Sequence, residues 1–370
     1  MRFTHDPAPV RAVFGRGVTR TALPAELHRL GRERLLVLVP PDVRALAREL
    51  TQPLGPAVVG WFTGVERQVP AAVAARAVAT ARDVRADAVL AIGDGAATGT
   101  AKVLARDTGL PVLAVPTGYA GWDLTGQWSV TTAGRTETGT DPAVRPRTVL
   151  LDPDLTDALP RRAAVTAAFQ ALARAVEAHW APSADPVTSA LADEAVRTLA
   201  AGLRARAGGQ GDGARDGDLL TDPVGTWAGT AARAGEELLY GAFLAAAAMD
   251  TAGTGLQHAL SRALGTALDL PAAATHAVLL PHVLAFNAPA LPAAVHERLA
   301  AALGADRAAV GLRELAALTG APRTLADIGL RPADLPEAIA RASAQLPVPN
   351  PRPVGTEEVR ALLLAAAGIR

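Results

Sequence analysis

A glycine-rich segment at 93–102, GDGAATGTAK, follows a short apolar run and has the residue types of a phosphate cradle. Glycines let the backbone approach a pyrophosphate closely, and a helix starting there offers free N–H groups and a positive dipole end. We therefore predict that Gly93, Asp94 and Gly95 contact a cofactor, although a tight strand–helix turn needs glycine for its backbone alone. The carboxylate of Asp94 would repel a diphosphate unless it turns outward. Lys102 would either offset that charge or be solvated on the helix face.

Two aromatic side chains, Tyr119 and Trp122, lie close together in the segment VPTGYAGWDLT. Only 4% of the chain is aromatic, so such a pair after an apolar run favours a role in a binding site. An aromatic ring at this place would stack on a substrate or close off a cofactor pocket. We predict that both side chains contact the substrate.

Short apolar runs alternate with helical patterns over the first part of the chain. The runs are rich in Val, Leu and Ile, have the lengths of buried strands, and lie at 34–40, 57–62, 88–93, 111–117 and 147–153. Between them, 43–52 and 69–86 carry apolar residues at helical spacing. This alternation predicts an α/β domain, a parallel sheet with helices on both faces, which binds ligands at the carboxyl ends of its strands. The loops after Ile92 and Val115 are the expected binding edge.

Strand patterns are missing after about Leu159, where Ala- and Leu-rich helical segments follow. A polar, Gly-rich stretch at 207–218 is typical of a mobile surface loop between helices, and PVGTW at 223–227 marks a further break. We predict an α/β domain over 1–157, an all-α domain over 158–370, and an active-site cleft between them.

Composition excludes several classes of protein. Lys plus Arg and Asp plus Glu number 36 each, so no net charge favours nucleic acid or an anionic membrane. The chain has no cysteine, which excludes disulfides, thiolate metal sites and cysteine nucleophiles. The N-terminal segment lacks the apolar core of a secretory signal, and no apolar run is long enough to span a bilayer. We expect a soluble cytoplasmic protein that binds neither nucleic acid nor membrane.

Several segments occur in the order known from one superfamily of dehydrogenases. They are VFGRG near the start, AIGDGAATGTAK, VPTGYAGWDLT, TGTDPAVRPRTVLLDPDLT, RAVEAHWAP, DLPAAATHAVLLPHVLAFNAP and NPRP. On these motifs the chain resembles the iron-containing alcohol dehydrogenase superfamily, and within it the maleylacetate reductase branch, over nearly its whole length. The resemblance implies a Rossmann-like dinucleotide-binding domain followed by a helical domain, an architecture shared with dehydroquinate synthase. It also implies NAD or NADP as cofactor and a homodimer.

The cofactor segments depart from the family pattern in several places. The family's usual GGGS turn is GDGA here, and Trp-Asp stands in place of the usual Ser-Glu of the following loop. A Lys that the family places near the nucleotide corresponds to Thr136. Thr125 is kept, and in the family this Thr lies near the nicotinamide nucleotide. By the resemblance, we predict that Thr117, Thr125 and Lys102 also contact the cofactor.

The positions of the family's metal ligands have changed almost completely. The one Asp and three His of the superfamily correspond to Gln170, Arg174, His258 and Ala272, and a further family His corresponds to Arg262. Arginine cannot coordinate Fe²⁺ or Zn²⁺ because its guanidinium stays protonated, and two arginines would also repel the ion. The resemblance therefore predicts a family member without a catalytic metal.

The two arginines at these positions have an alternative use. Arg174 and Arg262, if they face the cleft as the family positions do, would form a cationic pocket where the ion otherwise lies. Guanidinium groups clamp carboxylates and stabilise a developing enolate, so we predict a small-molecule carboxylate as substrate. The alternative is that each arginine forms a structural ion pair, for example Arg174 with Glu177 on one helical face.

His258 keeps a family ligand position, and an imidazole suits proton delivery near neutral pH. We predict that it is the general acid, with the two arginines as its catalytic partners; the alternative is an ordinary interior histidine. Gln170 and His276 are predicted substrate contacts. His282 and His179 are predicted to have structural roles, His179 by packing at a helix end.

The sequence supports two kinds of function. The first is a metal-independent reductase that passes hydride from NADH or NADPH to an activated C=C or C=O of an oxo-acid, with the protein supplying positioning and electrostatics. The second is a repurposed member with non-redox chemistry, such as a lyase, dehydratase, isomerase or cyclase, or with ligand binding alone, because both the cofactor and the metal positions carry changes. A catalytically inactive partner subunit is a third. We favour the reductase because the helix–turn context survives at the nucleotide-binding edge.

Overall fold

The computed structural model describes residues 2–7, 9–133, 135–208 and 230–368. The chain forms two compact units, an α/β unit over Pro7–Leu159 and a helical unit made of Met1–Asp6 and Pro160–Arg370. Beyond Gly208, the predicted loop at 207–218 lies outside the described residues, and so does the predicted break at 223–227.

The α/β unit is built on a six-stranded parallel sheet. Its strands are β1 (Arg11–Phe14), β2 (Leu35–Leu38), β3 (Val58–Phe62), β4 (Ala88–Gly93), β5 (Val112–Pro116) and β8 (Thr148–Leu151), in the order β1-β8-β5-β4-β2-β3. An antiparallel hairpin joins β6 (Gln127–Thr132) to β7 (Arg135–Thr140). The five predicted strands are confirmed as β2, β3, β4, β5 and β8. Strand β1 and the hairpin have no counterpart in the sequence-based prediction.

Helices cover both faces of this sheet, as predicted. They are α1 (Val18–Arg29), α2 (Arg44–Thr51), α3 (Ala71–Asp83), α4 (Gly95–Thr108) and the short α5 (Pro153–Asp157). In β2, Leu35 and Val37 belong to the core formed with α1 and α2, whereas Leu36 and Leu38 belong to the core formed with α3 and α4. Alternate residues of a strand point to opposite faces, so β2 is apolar throughout because both faces are covered.

The strand order reverses between β2 and β4. From β2 the chain adds β3 on one side, then returns to place β4 on the other side of β2 and β5 beyond it. Such a reversal leaves a crevice at the carboxyl ends of the two strands, where open α/β sheets bind their ligands. The glycine-rich turn after β4 lies at this crevice.

The helical unit contains nine α-helices in its described residues. They are α6 (Arg161–Ala178), α7 (Pro186–Gly208), α8 (Thr230–Ala252), α9 (Leu256–Leu268), α10 (Ala272–Asn287), α11 (Ala293–Ala302), α12 (Ala308–Thr319), α13 (Leu335–Ser343) and α14 (Thr356–Ala367). No strand occurs in the described part of this unit, in agreement with the predicted loss of strand patterns after Leu159. Over the residues described, none of the helices is long and apolar enough to cross a membrane.

Small residues let the helices of this unit approach closely. A Cβ added to Gly241 of α8 would lie 2.6 Å from Oγ1 of Thr198 on α7, and one on Gly202 would lie 2.9 Å from Cγ of Leu238. Helix α6 packs against α7, α8 and α10, and α9 packs against α10 and α13. This packing places one end of α6 beside α9 and α10, where the candidate catalytic side chains lie.

Candidate active site

The turn after β4 contains two glycines whose surroundings differ. Gly93 has a φ of +142°, and a Cβ there would lie 2.9 Å from Cδ of Pro40, two residues after β2. Only glycine adopts this conformation at such close approach without strain. A Cβ on Gly95 would meet nothing within 4 Å, so its side of the turn is open. Gly93 is therefore explained by the fold alone, whereas the open side of Gly95 suits a bound diphosphate.

Asp94 is the N-cap of α4. Its Oδ1 accepts the backbone N–H of Ala96 at 3.0 Å, and the residue is exposed. A carboxylate at a helix N-terminus satisfies a free amide and is stabilised by the helix dipole. The charge of Asp94 thus turns back onto the helix end at which a phosphate would bind.

Lys102 lies on α4 and is fully buried, so it is not on a solvated helix face, and its effect on the charge of Asp94 stays a prediction. Its Nζ donates to the carbonyl of Trp122 at 2.5 Å, to Oγ1 of Thr125 at 3.1 Å and to the carbonyl of Gln127 at 2.8 Å. The amine therefore holds the loop between β5 and β6 against α4. Solvation of Lys102 on the helix face is a wrong prediction, because all sides of the amine are enclosed by this loop.

A buried carboxylate completes this network. Asp123 is 2% exposed and accepts a hydrogen bond from Oγ1 of Thr98 on α4. Burial raises the pKa of Asp123, while the bond from Thr98 and the charge of Lys102 act in the opposite direction. The Trp-Asp pair that replaces the family's Ser-Glu therefore has its acidic member inside the α/β unit, tied to α4.

The other predicted contacts of this unit have different exposures. Tyr119 is almost completely buried, whereas Trp122 is half-buried with its ring 5.3 Å from Nζ of Lys102. The backbone N–H of Thr117 donates to the carbonyl of Gly93 at 3.0 Å, which extends the pairing of β4 and β5 into the turn. Contacts of these residues with substrate or cofactor stay predictions.

Five polar side chains from three helices of the helical unit form what we call the histidine cluster. Arg174 and Glu177 come from α6, Gln257 and His258 from α9, and His276 from α10. Glu177 lies three residues after Arg174, and this spacing puts both on neighbouring positions of one helical face. All except His258 are buried, and the side chain of His258 is 14% exposed. Buried polar groups need partners, and within the cluster Glu177 bonds to Gln257 and His258, and Gln257 bonds to His276.

Glu177 connects α6 to the start of α9. Its Oε1 accepts the backbone N–H of Gln257 at 2.7 Å, and its Oε2 lies 2.5 Å from Nδ1 of His258. Close approach depends on Gly255, because a Cβ there would lie 3.1 Å from Oε1 of Glu177 and 2.7 Å from the carbonyl oxygen of Pro349. The carboxylate thus caps α9 and binds the Nδ1 edge of the His258 ring.

His276 lies beside His258, with ring centroids 4.8 Å apart and planes inclined at 57°. The amide Nε2 of Gln257 lies 3.3 Å from Nδ1 of His276 and donates to its carbonyl oxygen at 3.2 Å. Burial lowers the pKa of His276 well below its ordinary value, and the charges of His258 and Arg174 act in the same direction. His276 is therefore a neutral imidazole at physiological pH.

The two arginines predicted as a pair have unequal positions. Arg174 is 2% exposed and lies close enough for its charge to act on His276, whereas Arg262 is exposed on α9, one turn after His258. Gln170 is half-buried, one turn before Arg174 on α6. Both oxygens of Glu177 are bonded to α9, and the alternative of an ion pair between Arg174 and Glu177 stays a prediction.

The donor set at the family's metal positions does not fit a divalent cation. Gln170 offers only an amide, Arg174 a guanidinium that stays protonated, and Ala272 no ligand at all, which leaves His258. Within the described residues, no group of three or more His, Asp or Glu side chains is arranged to hold a metal ion. The guanidinium of Arg174 is buried at this place, and its predicted contact with a substrate carboxylate stays a prediction.

His179 packs at a helix end as predicted, whereas the structural role of His282 stays a prediction. His179 is the C-cap of α6 and is buried; burial, with a contribution from the charge of Arg298, lowers its pKa to about 4. Asp193 lies 3.3 Å from His179, but its ion pair is with Arg298 at 2.8 Å, since a neutral imidazole offers no charge. Burial and the charge of Arg313 lower the pKa of His282.

The sequence matches two family descriptions, one for each part of the chain. They are "Iron-containing alcohol dehydrogenase" over residues 9–153 and "Fe-containing alcohol dehydrogenase family, C-terminal" over residues 223–367. Maleylacetate reductase 1 of Cupriavidus pinatubonensis is 38% identical over 367 residues, which cover 99% of this chain and 97% of that protein.

Solved structures with the same two-part architecture superpose closely. The iron-containing alcohol dehydrogenase of Corynebacterium glutamicum has a TM-score of 0.89 and 36% identity, covering 99% of this chain and 97% of its own. Maleylacetate reductase of Agrobacterium tumefaciens has a TM-score of 0.88 and 34% identity, covering 99% and 98%. The chain therefore belongs to the iron-containing alcohol dehydrogenase family, on its maleylacetate reductase-like branch, and is an oxidoreductase.

Proposed function

We propose that the protein is an NADH- or NADPH-dependent reductase that works without a metal ion on an oxo-acid or another carboxylate-bearing substrate. The observation that supports this most directly is the histidine cluster, in which the buried guanidinium of Arg174 lies at a family metal position beside His258 and His276. A fixed positive charge in a poorly solvated site attracts a carboxylate and stabilises negative charge that develops on oxygen.

The α/β unit has the features that a nicotinamide dinucleotide needs. The open side of Gly95 and the N-terminus of α4 suit the diphosphate, at the crevice where the strand order reverses. Thr117, Thr125 and the carboxylate of Asp94 lie on the segments that would surround the nucleotide, and Lys102 acts by holding the loop. When bound, the reduced nicotinamide supplies the hydride.

The helical unit supplies the remaining groups of the proposal. Arg174 orients the substrate carboxylate, with the exposed Arg262 as a second cation, and His258 provides the proton. Gln170 and His276 are proposed substrate contacts from the same unit, and Tyr119 and Trp122 from the α/β unit. Relatives named maleylacetate reductase make maleylacetate, or a related oxo-acid, the first substrate to test. A homodimer and a cytoplasmic location stay predictions.

The test is a titration of chelator-treated protein with NADH and NADPH, followed by oxidation of the preferred cofactor in the presence of maleylacetate. We expect micromolar binding of one cofactor and turnover that added Fe²⁺ or Zn²⁺ does not increase. Turnover that appears only on adding a metal ion would contradict metal independence. Binding without turnover of any oxo-acid would contradict the substrate class.

One observation favours a second candidate, a non-redox enzyme or a ligand-binding member. Asp94 places a carboxylate on the α4 N-terminus, the end at which a cofactor diphosphate would bind. If neither NADH nor NADPH binds at millimolar concentration, this candidate replaces the reductase. Isomerisation or elimination of an oxo-acid, followed by NMR of the product, would then be the assay.

A further inference from the structure

We propose that Glu177 and Gln257 are positioning residues that hold the two neighbouring histidines in opposite tautomers, so that His258 delivers a proton and His276 serves as a neutral hydrogen-bond donor. The use of this arrangement in reduction rests on the function proposed above. The arrangement itself rests on hydrogen bonds within the histidine cluster.

The tautomer of His258 follows from its partner. Glu177 is 1% exposed, and its two oxygens receive the Gln257 backbone N–H and Nδ1 of His258. An ionised carboxylate only accepts hydrogen bonds. Nδ1 of His258 therefore carries a proton. Its Nε2 is buried and has no hydrogen-bond partner among the described residues, so this nitrogen is the one left for a ligand.

The tautomer of His276 is opposite. One side-chain atom of Gln257 lies 3.2 Å from the carbonyl oxygen of His276 and 3.3 Å from its Nδ1. A backbone carbonyl only accepts, so the amide nitrogen of Gln257 must face it, and the same nitrogen then donates to Nδ1. In the neutral ring the proton of His276 lies on Nε2. The other amide atom, Oε1 of Gln257, is buried without a hydrogen-bond partner in the described part of the chain.

The charged groups around His258 differ from those around His276. The charged side chains that face the two histidine rings from α6 are Glu177 and Arg174. Each ring also faces the other histidine. On α9 itself, Arg262 lies one turn beyond His258 and is exposed. Helix α13 also packs on α9, but its charged pair Glu337–Arg341 is exposed to solvent. A carboxylate therefore faces only His258, while burial keeps His276 neutral.

The proton transfer in the reduction is consistent with the tautomers assigned to His258 and His276. As hydride adds to the substrate carbon, the electron pair of the C=O bond moves to oxygen and takes the proton from Nε2 of His258. The ring is left neutral with its remaining proton on Nδ1, the form that Glu177 holds, and solvent restores the Nε2 proton. For a conjugated C=C the electron pair forms an enolate, which takes the same proton. Nε2–H of His276 and Arg174 stabilise the negative charge on oxygen.

Glu177 also caps α9, so its substitution must separate that role from positioning. Glu177→Gln keeps an oxygen for the Gln257 backbone N–H, but its amide nitrogen would donate to Nδ1 of His258 and move the ring proton to Nε2. We expect kcat to fall about 100-fold, with unchanged cofactor affinity and unchanged Tm. Glu337→Gln, exposed on α13, is the matched control and should change none of these values.

NMR of histidine-labelled protein reads the tautomers directly and does not depend on turnover. We expect the neutral rings to carry Nδ1–H in His258 and Nε2–H in His276, with the signals assigned by His258→Gln and His276→Gln. In Glu177→Gln, His258 alone should change to the Nε2–H tautomer. Nε2–H on His258 in the wild type, or an unchanged kcat in Glu177→Gln, would overturn the inference. Protein that binds no nicotinamide but shows these tautomers would refute the reductase and leave the positioning of the histidines supported.

Discussion

The carboxylate of Asp94 caps the helix that it precedes, since its Oδ1 accepts the backbone N–H of Ala96 at 3.0 Å. The same helix end lies at the crevice of the sheet, where a dinucleotide diphosphate would bind. Asp94 therefore stabilises the N-terminus of α4, and under the proposed function it would also repel the diphosphate that this N-terminus attracts.

Asp94→Asn should tighten cofactor binding without weakening the helix. Asparagine caps a helix as well as aspartate does, so the Tm should change little. Removal of one negative charge next to the diphosphate should improve the dissociation constant of NADH or NADPH about two- to fivefold. Fluorescence titration at low salt measures this. Asp107→Asn, at the other end of α4, is the control and should leave the affinity unchanged. Weaker cofactor binding in Asp94→Asn than in the wild type would show that the carboxylate contacts the cofactor favourably.

The two glycines of the turn should respond differently to alanine. Gly93→Ala forces a Cβ onto Pro40 at a positive φ and should lower the free energy of unfolding by about 1–3 kcal/mol. Gly95→Ala meets open space in the free protein, so its unfolding free energy should stay unchanged while cofactor affinity drops about tenfold. Urea unfolding and cofactor titration of both variants separate the two effects. Equal affinity in Gly95→Ala and the wild type would place the diphosphate elsewhere.

Much of the α/β unit could be predicted because its central strands are apolar on both faces. Strands such as Leu35–Leu38 and Val112–Pro116 are buried at every residue, so each forms a continuous apolar run. Strand β1 is a partly exposed four-residue edge strand, and the threonine-rich hairpin β6–β7 has few buried residues. The apolar run of β1 is only three residues long, and its partner β8 is distant in the sequence, while the hairpin is mostly polar.

The histidine cluster could be predicted only in part. His258 and Arg174 stand at recognisable motif positions, but the bond between Glu177 and His258 joins residues 81 apart in the sequence. Local spacing suggested Arg174 as the partner of Glu177, because helical neighbours are all that one segment can show. The apposition of α6 and α9 decides the partner, and it depends on packing around Gly255.

Lys102 is the only lysine in a chain otherwise supplied with arginine. Its compact ammonium donates to three oxygens of the loop that follows β5, in a fully buried place, and a planar guanidinium has a different donor geometry. Lys102→Arg and Lys102→Met should each lower the free energy of unfolding by about 3 kcal/mol, and cofactor affinity should fall as the loop loosens. Arg82→Lys on the exposed face of α3 is the control. Wild-type stability in Lys102→Arg would show that the buried amine tolerates a larger cation.

Protonation of His179 should contribute to acid denaturation. Burial, aided by Arg298, lowers its pKa from 6.5 to about 4, so the folded state binds this proton less readily than the unfolded state. Its contribution to stability is fully present above pH 6.5 and is lost as the pH falls towards about 4. The loss is on the order of 3 kcal/mol. His179→Gln should flatten the dependence of the unfolding free energy on pH over this interval, whereas His28→Gln on the exposed surface of α1 should not. An unchanged slope in His179→Gln would assign the acid sensitivity to other groups.

Restoring the family's ligand types should create a metal site where Arg174 now lies. Gln170 and Arg174 are four residues apart on α6 and so share one face, and Ala272 begins α10, whose His276 adjoins His258. In the triple variant Gln170→Asp, Arg174→His, Ala272→His, three new ligands would join His258, and a repelling cation would be removed. We expect calorimetry to show Zn²⁺ binding at least about tenfold tighter than in the wild type, with loss of the proposed carboxylate site at Arg174.

The single variant Arg174→His separates loss of repulsion from gain of ligands. Strong Zn²⁺ binding by the wild-type protein would contradict metal independence, because it would mean that His258 already has enough neighbours to hold the ion.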